Sequence, residues 1–218
     1  MSDDKHTPGS VLNARGLATK REYVRELRVR GDAQALSLLV ECLCDESWYL
    51  RELAEAAFLE LGETGAEALL PMLDQGLWFT RVSAARVFGR LGYRRAVPGL
   101  LRLTEDANST VVHAAREALV GIGNRHGAIR LAHALHRLPP DARRRQLDGL
   151  TALDASLRER LERLMRSEEL MLAEDVEPLS DDSPAVRAIE GVAPETPAGS
   201  PPSPPPRPRA EEPGGGND

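Results

Sequence analysis

Apolar and small residues recur along residues 19–173 with the spacing of amphipathic helices, and short runs of Gly, Pro, Asn and Asp separate them. Thr19 has the capping-box spacing to Glu22, so we expect the first helix to begin there and to end at Gly31. Asp32 then stands where the N-cap of the next helix belongs. This stretch is predicted to consist of short helices joined by tight turns.

One amphipathic helix is repeated along the chain. The stretches SWYLRELAEAAFLELG (47–62) and LWFTRVSAARVFGRLG (77–92) lie thirty residues apart, and a weaker third copy ends at Gly123. A second apolar helix follows each copy. Because such a pair of helices cannot cover both apolar sides alone, we expect successive pairs to stack around one elongated core. The matched core positions are Leu53/Ser83/Ala114, Ala54/Ala84/Ala115, Ala57/Val87/Ala118 and Phe58/Phe88/Leu119.

Turn residues between the helices give further expectations. Gly62, Gly92 and Gly123 are each predicted to adopt the left-handed conformation that ends a helix. Pro71 falls inside the second helix of its pair and is expected to kink it. Asp141 follows two prolines and is expected to be the N-cap of a later helix.

The chain divides into three segments by composition. Residues 1–18 are predicted to be a disordered arm and residues 19–173 the helical array. Residues 174–218 are acidic and rich in proline, and they have too few apolar groups to form a core, so we expect a disordered tail. Its stretch PPSPPPRPR favours polyproline II, which leaves open whether it is a docking motif or a spacer.

The pattern W-x-x-R-x-x-A-x-x-x-F-x-x-L-G resembles HEAT-like repeats of the short type found in phycobilin lyases and in bacterial adaptor proteins. The resemblance extends over residues 33–152. It implies an all-α fold, a right-handed α-solenoid of about four helical hairpins. Because the shared positions are buried ones, the resemblance says little about function.

The resemblance also implies ion pairs that hold the turns, since HEAT-like repeats place an acidic residue ahead of the helix arginine. Here the expected pairs are Asp45 with Arg51 and Asp74 with Arg81. In the third copy Val112 replaces the arginine, so no such pair is expected there.

Two enzymatic relatives of these repeats can be compared with the sequence. Deoxyhypusine hydroxylases resemble HEAT repeats that bind a di-iron centre through His-Glu dipeptides, and no histidine of this chain precedes Glu. A phycobilin-lyase-like activity stays open, without a motif that supports it. His133 and His136 lie i, i+3 and could face one metal ion, but no third ligand stands nearby at ligand spacing, so histidines without a metal are favoured. Cys42 and Cys44 are read as structural thiols, and we expect no catalytic residue or cofactor.

Net charge is unevenly distributed. The whole chain has 28 basic and 34 acidic residues. Counting Lys and Arg against Asp and Glu gives 6 and 12 in residues 20–74, 17 and 8 in residues 75–166, and 3 and 12 in residues 167–218. The basic middle hints at an acidic partner. No signal peptide or membrane span is apparent, which favours the cytoplasm; the oligomeric state stays open.

Outward-facing positions of the repeated helices differ from copy to copy, as expected either for a surface fitted to one partner or for neutral drift. These positions are Glu52/Val82/His113, Glu55/Ala85/Arg116, Ala56/Arg86/Glu117 and Leu59/Gly89/Val120. The aromatic pairs at the helix starts are expected either to cover the seam between repeats or to anchor a partner. We therefore predict a non-catalytic adaptor that binds another protein, with a nucleic-acid-binding protein or a lyase-like assembly factor as alternatives. The predicted contact residues are Trp48, Tyr49, Trp78, Phe79, Arg86, Arg90, His113 and Arg116.

Overall fold

The computed structural model describes residues 16–172 and 184–190, and within these two ranges it consists of helices joined by short turns, with no strand. The α-helices are α1 Leu17–Arg30, α2 Ala33–Leu43, α3 Trp48–Leu69, α4 Trp78–Leu91, α5 Val97–Leu103, α6 Ser109–Ile122, α7 Ala128–His136, α8 Pro140–Thr151, α9 Ala155–Met165, α10 Glu168–Leu172 and α11 Pro184–Glu190. Short 3-10 helices occupy Leu70–Leu73 and Arg94–Ala96, and Gly123–Gly127 forms a π-helical turn.

The helices form two layers. In the first layer α1 packs on the N-terminal half of α3, followed in order by α4, α6 and α8, each helix on its predecessor. In the second layer the 3-10 helix Leu70–Leu73 packs on α5, α5 on α7, and α7 on α9. The described residues thus hold five helical pairs, one more than the four repeats read from the sequence, because α1 and α2 occupy the same two layers.

The matched core positions predicted from the sequence lie in one apolar core shared by the helical pairs. Phe58, Phe88 and Leu119 are fully buried and belong to a single apolar cluster that runs through the array. Side chains of this size contribute about 1.5–3 kcal/mol each when they are covered. The prediction of an elongated core between successive helical pairs is confirmed.

Two of the predicted glycine caps are found as expected. Gly31 (φ 58°) and Gly92 (φ 68°) adopt the left-handed conformation and end α1 and α4. Gly62 also has positive φ, with ψ −133°, and it breaks α3 into the two helices of one pair. The prediction was wrong for Gly123, which is right-handed helical; the chain reverses at His126 (φ 112°) instead.

Local hydrogen bonds determine where the helices start. Of the three helix starts predicted from the sequence, only the one at Asp32 is correct. Asp32 caps α2 by accepting a hydrogen bond from the Ala35 N–H, as expected. Thr19 does not begin the first helix, since Gly16 is the N-cap of α1 and its carbonyl accepts from the Thr19 N–H. The expected Asp141 cap was also wrong, because Pro140 starts α8 one residue earlier.

Pro71 ends regular α-helical geometry in its pair rather than bending a continuing helix. Helix α3 ends at Leu69, and Pro71 lies near the start of the 3-10 helix Leu70–Leu73. A proline lacks the N–H that a continuing α-helix requires, but at the start of a helix that N–H is not needed.

The ends of the chain lie largely outside the described residues, including most of the predicted arm 1–18 and tail 174–218. Two described parts differ from those expectations. Leu17 and Ala18 belong to α1, and α11 lies within the predicted tail and packs on α9. Val186 of α11 is fully buried, because α9 gives this short apolar segment a surface to cover. No helix in the described ranges has the length and apolar character needed to span a membrane.

Candidate partner-binding surface

The predicted contact residues fall into three places on the first layer. Trp48, Tyr49, Trp78 and Phe79 lie at the starts of α3 and α4; we call these four residues the aromatic edge. Arg86 and Arg90 lie further along α4, while His113 and Arg116 lie on α6.

A groove crosses the first layer between α4 and α6. Its volume is about 330 Å³, and one residue of α3 and one residue after α6 complete its walls. We call it the arginine groove. Its lining is Glu55, Arg86, Gly89, Arg90, Ala114, Glu117, Ala118, Gly121 and Arg125.

The floor of the arginine groove is made of small residues because two helices cross there at very short range. A Cβ placed on Gly89 would lie 2.6 Å from the Ala118 Cα, and one on Gly121 would lie 2.8 Å from the Gly89 carbonyl oxygen. Side chains of ordinary size cannot occupy these positions. A ligand in the groove therefore reaches the helix backbones, with long side chains only at the walls.

The charges on the walls are unbalanced. Arg86, Arg90 and Arg125 have no acidic partner within the described part of the chain. Both wall carboxylates are already engaged, since Glu55 accepts a hydrogen bond from the Ser83 hydroxyl and Glu117 lies 3.3 Å from the His113 imidazole. Three guanidinium groups thus remain available to an anionic ligand.

Arg125 was not among the predicted contact residues. A Cβ on Gly92 would lie 3.1 Å from the Cβ of Arg125, so the arginine stem packs over the glycine that ends α4. The sequence placed Arg125 in the arginine-rich middle of the chain, but its position beside Arg86 and Arg90 depends on the π-helical turn after α6.

Three positions of α4 expected to face outward are buried. Val82 and Ala85 are covered by neighbouring helices, and Gly89 lies against α6. Helix α4 belongs to the third of five pairs and packs on a neighbour at each side within its layer. More of its surface is therefore buried than the one apolar face read from the sequence predicts.

The aromatic edge is exposed at its two indoles. Trp48 is 68% exposed and Trp78 is 47% exposed, whereas Tyr49 and Phe79 are half-buried. Each tryptophan meets its neighbouring ring edge-on, with centroids 5.8 Å apart for Trp48 and Tyr49 and 5.7 Å for Trp78 and Phe79. Tyr49 and Phe79 thus pack into the seam between helices and hold the indoles at the surface.

The repeated arginines of α3 and α4 connect successive repeats, and the ion pairs expected for them were wrong. Arg51 donates to the backbone carbonyls of Asp45 and Glu46, and its guanidinium carbon lies 4.6 Å from the Phe79 ring centroid.

Arg81, the second of these arginines, likewise donates to the Gly76 carbonyl, and its acidic partner is Asp106 at 3.0 Å in the next repeat. Asp74, the partner expected for Arg81, instead pairs with Arg102 at 2.7 Å. Asp106 and Asp74 are thus each paired with an arginine of a neighbouring repeat. The spacing of residues within one repeat does not predict such pairs.

His113 and Arg116 do not line the arginine groove. His113 is exposed and lies beside Glu117, while a Cβ on Gly149 of α8 would lie 2.8 Å from the Arg116 Nε. Arg116 therefore lies across the junction of α6 and α8, and the predicted surface is divided between two junctions of the first layer.

The thiols and histidines show no arrangement for metal binding in the described ranges, where no group of three potential ligands comes together. Cys42 is buried, and burial followed by the nearby Asp45 charge raises the pKa of its thiol to about 12. Cys44 is half-buried, and both cysteines are free.

A sequence profile of HEAT repeats matches residues 66–151, from the second half of α3 to the end of α8. This region carries HEAT repeats. The matched region includes the arginine groove except for Glu55, and such repeats serve generally as surfaces for protein interaction. None of the curated proteins matches the chain in sequence.

Proposed function

We propose that the protein is a non-catalytic adaptor whose HEAT-repeat array, residues 19–173, binds an acidic segment of a partner protein in the arginine groove. The observation that carries the proposal is the set of three arginines, Arg86, Arg90 and Arg125, around a groove whose own carboxylates are engaged. Activity in the cytoplasm is part of the proposal.

An acidic segment fits this groove for a physical reason. A guanidinium presents a planar fork of donors that matches a carboxylate, and its charge-assisted hydrogen bonds are stronger than neutral ones. The small floor residues Gly89, Ala118 and Gly121 let a partner approach the helices closely, so that its acidic side chains reach the walls. Arg125 is held by its packing over Gly92, which lowers the entropy lost on binding.

A protein ligand suits the molecule better than a nucleic acid. A nucleic acid is a long polyanion that would also meet residues 20–74, where acidic residues outnumber basic ones by 12 to 6, whereas a short acidic segment needs to contact the groove alone. No aromatic residue lines the groove, so unstacked bases would have no ring to stack on. His113 and Arg116 extend the proposed surface toward α8, where a longer partner would continue.

Charge reversal tests the proposal. The double variant Arg86→Glu/Arg90→Glu is compared with Arg144→Glu/Arg163→Glu, which makes the same charge change at two exposed arginines of α8 and α9. The full chain and both variants serve as bait in extract of the source cells, and captured proteins are identified by mass spectrometry. We expect a protein that is retained by the wild type and the control variant and lost with the groove variant.

Capture that is equal for all three baits would overturn the groove as the binding site, provided that circular dichroism shows the variants folded. A filter-binding titration with single- and double-stranded DNA and RNA tests the alternative ligand. Steeply salt-dependent binding that the groove variant alone abolishes would replace the protein partner with a nucleic acid.

A further inference from the structure

The aromatic edge exposes two indoles at a spacing set by helix packing. Trp48 and Trp78 each occupy the first position of their helix, and α3 and α4 pack on each other. Packed helices have axes about 8–10 Å apart, so the helix starts that carry the two indoles are separated by about that distance along the array. The Arg51 guanidinium over Phe79 joins the two aromatic pairs into one continuous patch.

This spacing matches a polyproline II helix. Such a helix has three residues per turn and rises by about 3.1 Å per residue, so prolines three positions apart lie about 9 Å apart on one side. Prolines three apart dock on exposed aromatic rings, because the ring pairs bury apolar surface at little entropic cost. The chain contains this spacing at Pro202 and Pro205, in the stretch PPSPPPRPR.

Charge supports the same match. Two exposed carboxylates, Glu46 and Glu52, flank Trp48, and neither has a cationic partner in the described ranges. Arg207 follows Pro205 by two positions, so the segment places a positive charge beside its proline pair. A proline segment seated on the two indoles brings this arginine to one end of the patch, next to the acidic residues.

The length of the chain permits the contact within one molecule. Helix α11 ends at Glu190 and packs on α9 in the fifth helical pair, whereas the aromatic edge lies on the second and third pairs. At about 10 Å per packed helix, with one further step because α9 lies in the second layer and the aromatic edge in the first, the separation is roughly 20–35 Å. The eleven residues 191–201 span up to about 40 Å when extended.

From these observations we infer that the Pro202–Arg207 segment of the chain binds the aromatic edge of the same molecule, with its prolines on Trp48 and Trp78. The inference is independent of the arginine groove, since the two sites share no residue. The edge is then closed to other proline-containing ligands until the segment leaves it.

Intrinsic fluorescence of the full chain reports on this contact directly, because Trp48 and Trp78 are its only two tryptophans. The stretch PPSPPPRPR contains three proline pairs of this spacing, and the variant Pro202→Ala/Pro204→Ala/Pro205→Ala, called the Pro202/Pro205 variant below, removes all of them. It is compared with Pro194→Ala/Pro197→Ala, which removes two prolines of the same spacing elsewhere in the tail. A bound proline covers one of the two faces of an indole, so its loss is expected to raise the acrylamide quenching constant by about twofold.

We expect this increase in the Pro202/Pro205 variant and no change in the Pro194/Pro197 control. The charge-reversal variant Glu46→Lys/Glu52→Lys is expected to show the same increase as the Pro202/Pro205 variant. Equal quenching in the wild type and the Pro202/Pro205 variant would overturn the inference.

Protein concentration separates the molecule's own segment from that of a second copy. Wild-type quenching that is constant over a hundredfold dilution supports the contact within one molecule. Quenching that rises on dilution would overturn it in favour of exchange between copies.

Discussion

The backbone of Ala118 lies so close to Gly89 that a Cβ on the glycine would stand 2.6 Å from the Ala118 Cα. This approach joins α4 to α6 and forms the floor of the arginine groove. One pair of positions thus determines both how the third and fourth helical pairs pack and how deep the groove is.

Gly89→Ala is expected to destabilise the protein. Alanine gains about 1 kcal/mol over glycine in a helix, but overpacking against a backbone atom costs about 1–3 kcal/mol and requires the helices to separate. Because the clash is with a backbone atom, we take the upper half of this cost and expect a net loss of about 1–2 kcal/mol in the free energy of unfolding, measured by urea denaturation. Gly149→Ala is the control, since this glycine also lies inside a helix and a Cβ there would meet only the movable end of the Arg116 side chain. Equal stability of the two variants would contradict the close packing.

The two inter-repeat Asp–Arg pairs differ in burial, and this difference predicts different stabilities. Asp106 and Arg81 are 12% and 21% exposed, whereas Asp74 and Arg102 are 56% and 59% exposed. Asp106→Ala leaves a half-buried guanidinium unpaired and is expected to cost about 2 kcal/mol. Asp74→Ala is expected to cost less than about 1 kcal/mol, because solvent screens the pair.

Urea denaturation at low and high salt measures both Asp variants. Losses of the same size would show that burial does not strengthen the Asp106–Arg81 pair. A loss for Asp106→Ala that disappears in high salt would indicate a solvent-screened contact there as well.

The two thiols are expected to differ in reactivity. Burial raises the pKa of Cys42 to about 12, so almost none of it is thiolate at pH 8, whereas the half-buried Cys44 is partly accessible. An aromatic disulfide reagent at pH 8 is therefore expected to modify Cys44 in the native protein and Cys42 only after unfolding. Cys44→Ser is the control, and rapid modification of that variant would contradict the burial of Cys42.

Asp154 is expected to make stability depend on acid pH. Its carboxylate accepts from the Ser156 hydroxyl, the Asn124 amide and the Leu157 N–H, and these hydrogen bonds lower its pKa from 3.8 to about 2. A lowered pKa in the folded state means that the stabilisation is complete above pH 4 and is lost as the pH falls from 4 to 2.

Asp154→Ala removes this N-cap of α9 and is expected to cost about 1 kcal/mol at pH 7. The difference in unfolding free energy between wild type and variant should decrease as the pH falls from 4 to 2. Thermal denaturation at each pH measures this difference. A difference that stays constant across that range would mean that the Asp154 carboxylate does not titrate as described.

The matched core positions were predictable because the periodicity of apolar residues indicates which side of a helix is buried. Phe58, Phe88 and Leu119 could be aligned from their spacing alone. Gly123 has the same spacing as Gly62 and Gly92, but its backbone conformation depends on the turn that follows. In this repeat the residue with positive φ is His126, not the glycine. A repeat in sequence therefore predicted packing better than it predicted turns.

The candidate site was predictable only in part. The sequence indicated Arg86 and Arg90, but Arg125 joins them only because α6 continues into a π-helical turn. The partner of Arg81 lies 25 residues further along, in the next repeat, and no local spacing points to it. Contacts between repeats depend on how neighbouring helices are aligned in each layer. The pattern of residues along the sequence does not give this alignment.

The most direct test of the arginine groove is a nitrogen–proton spectrum of the arginine side chains during titration with a short peptide of alternating Glu and Ala. We predict that the Nε–H resonances of Arg86, Arg90 and Arg125 shift together with one dissociation constant, while those of Arg144 and Arg163 stay in place. Shifts of similar size at all exposed arginines, or none at the three groove residues, would contradict the account.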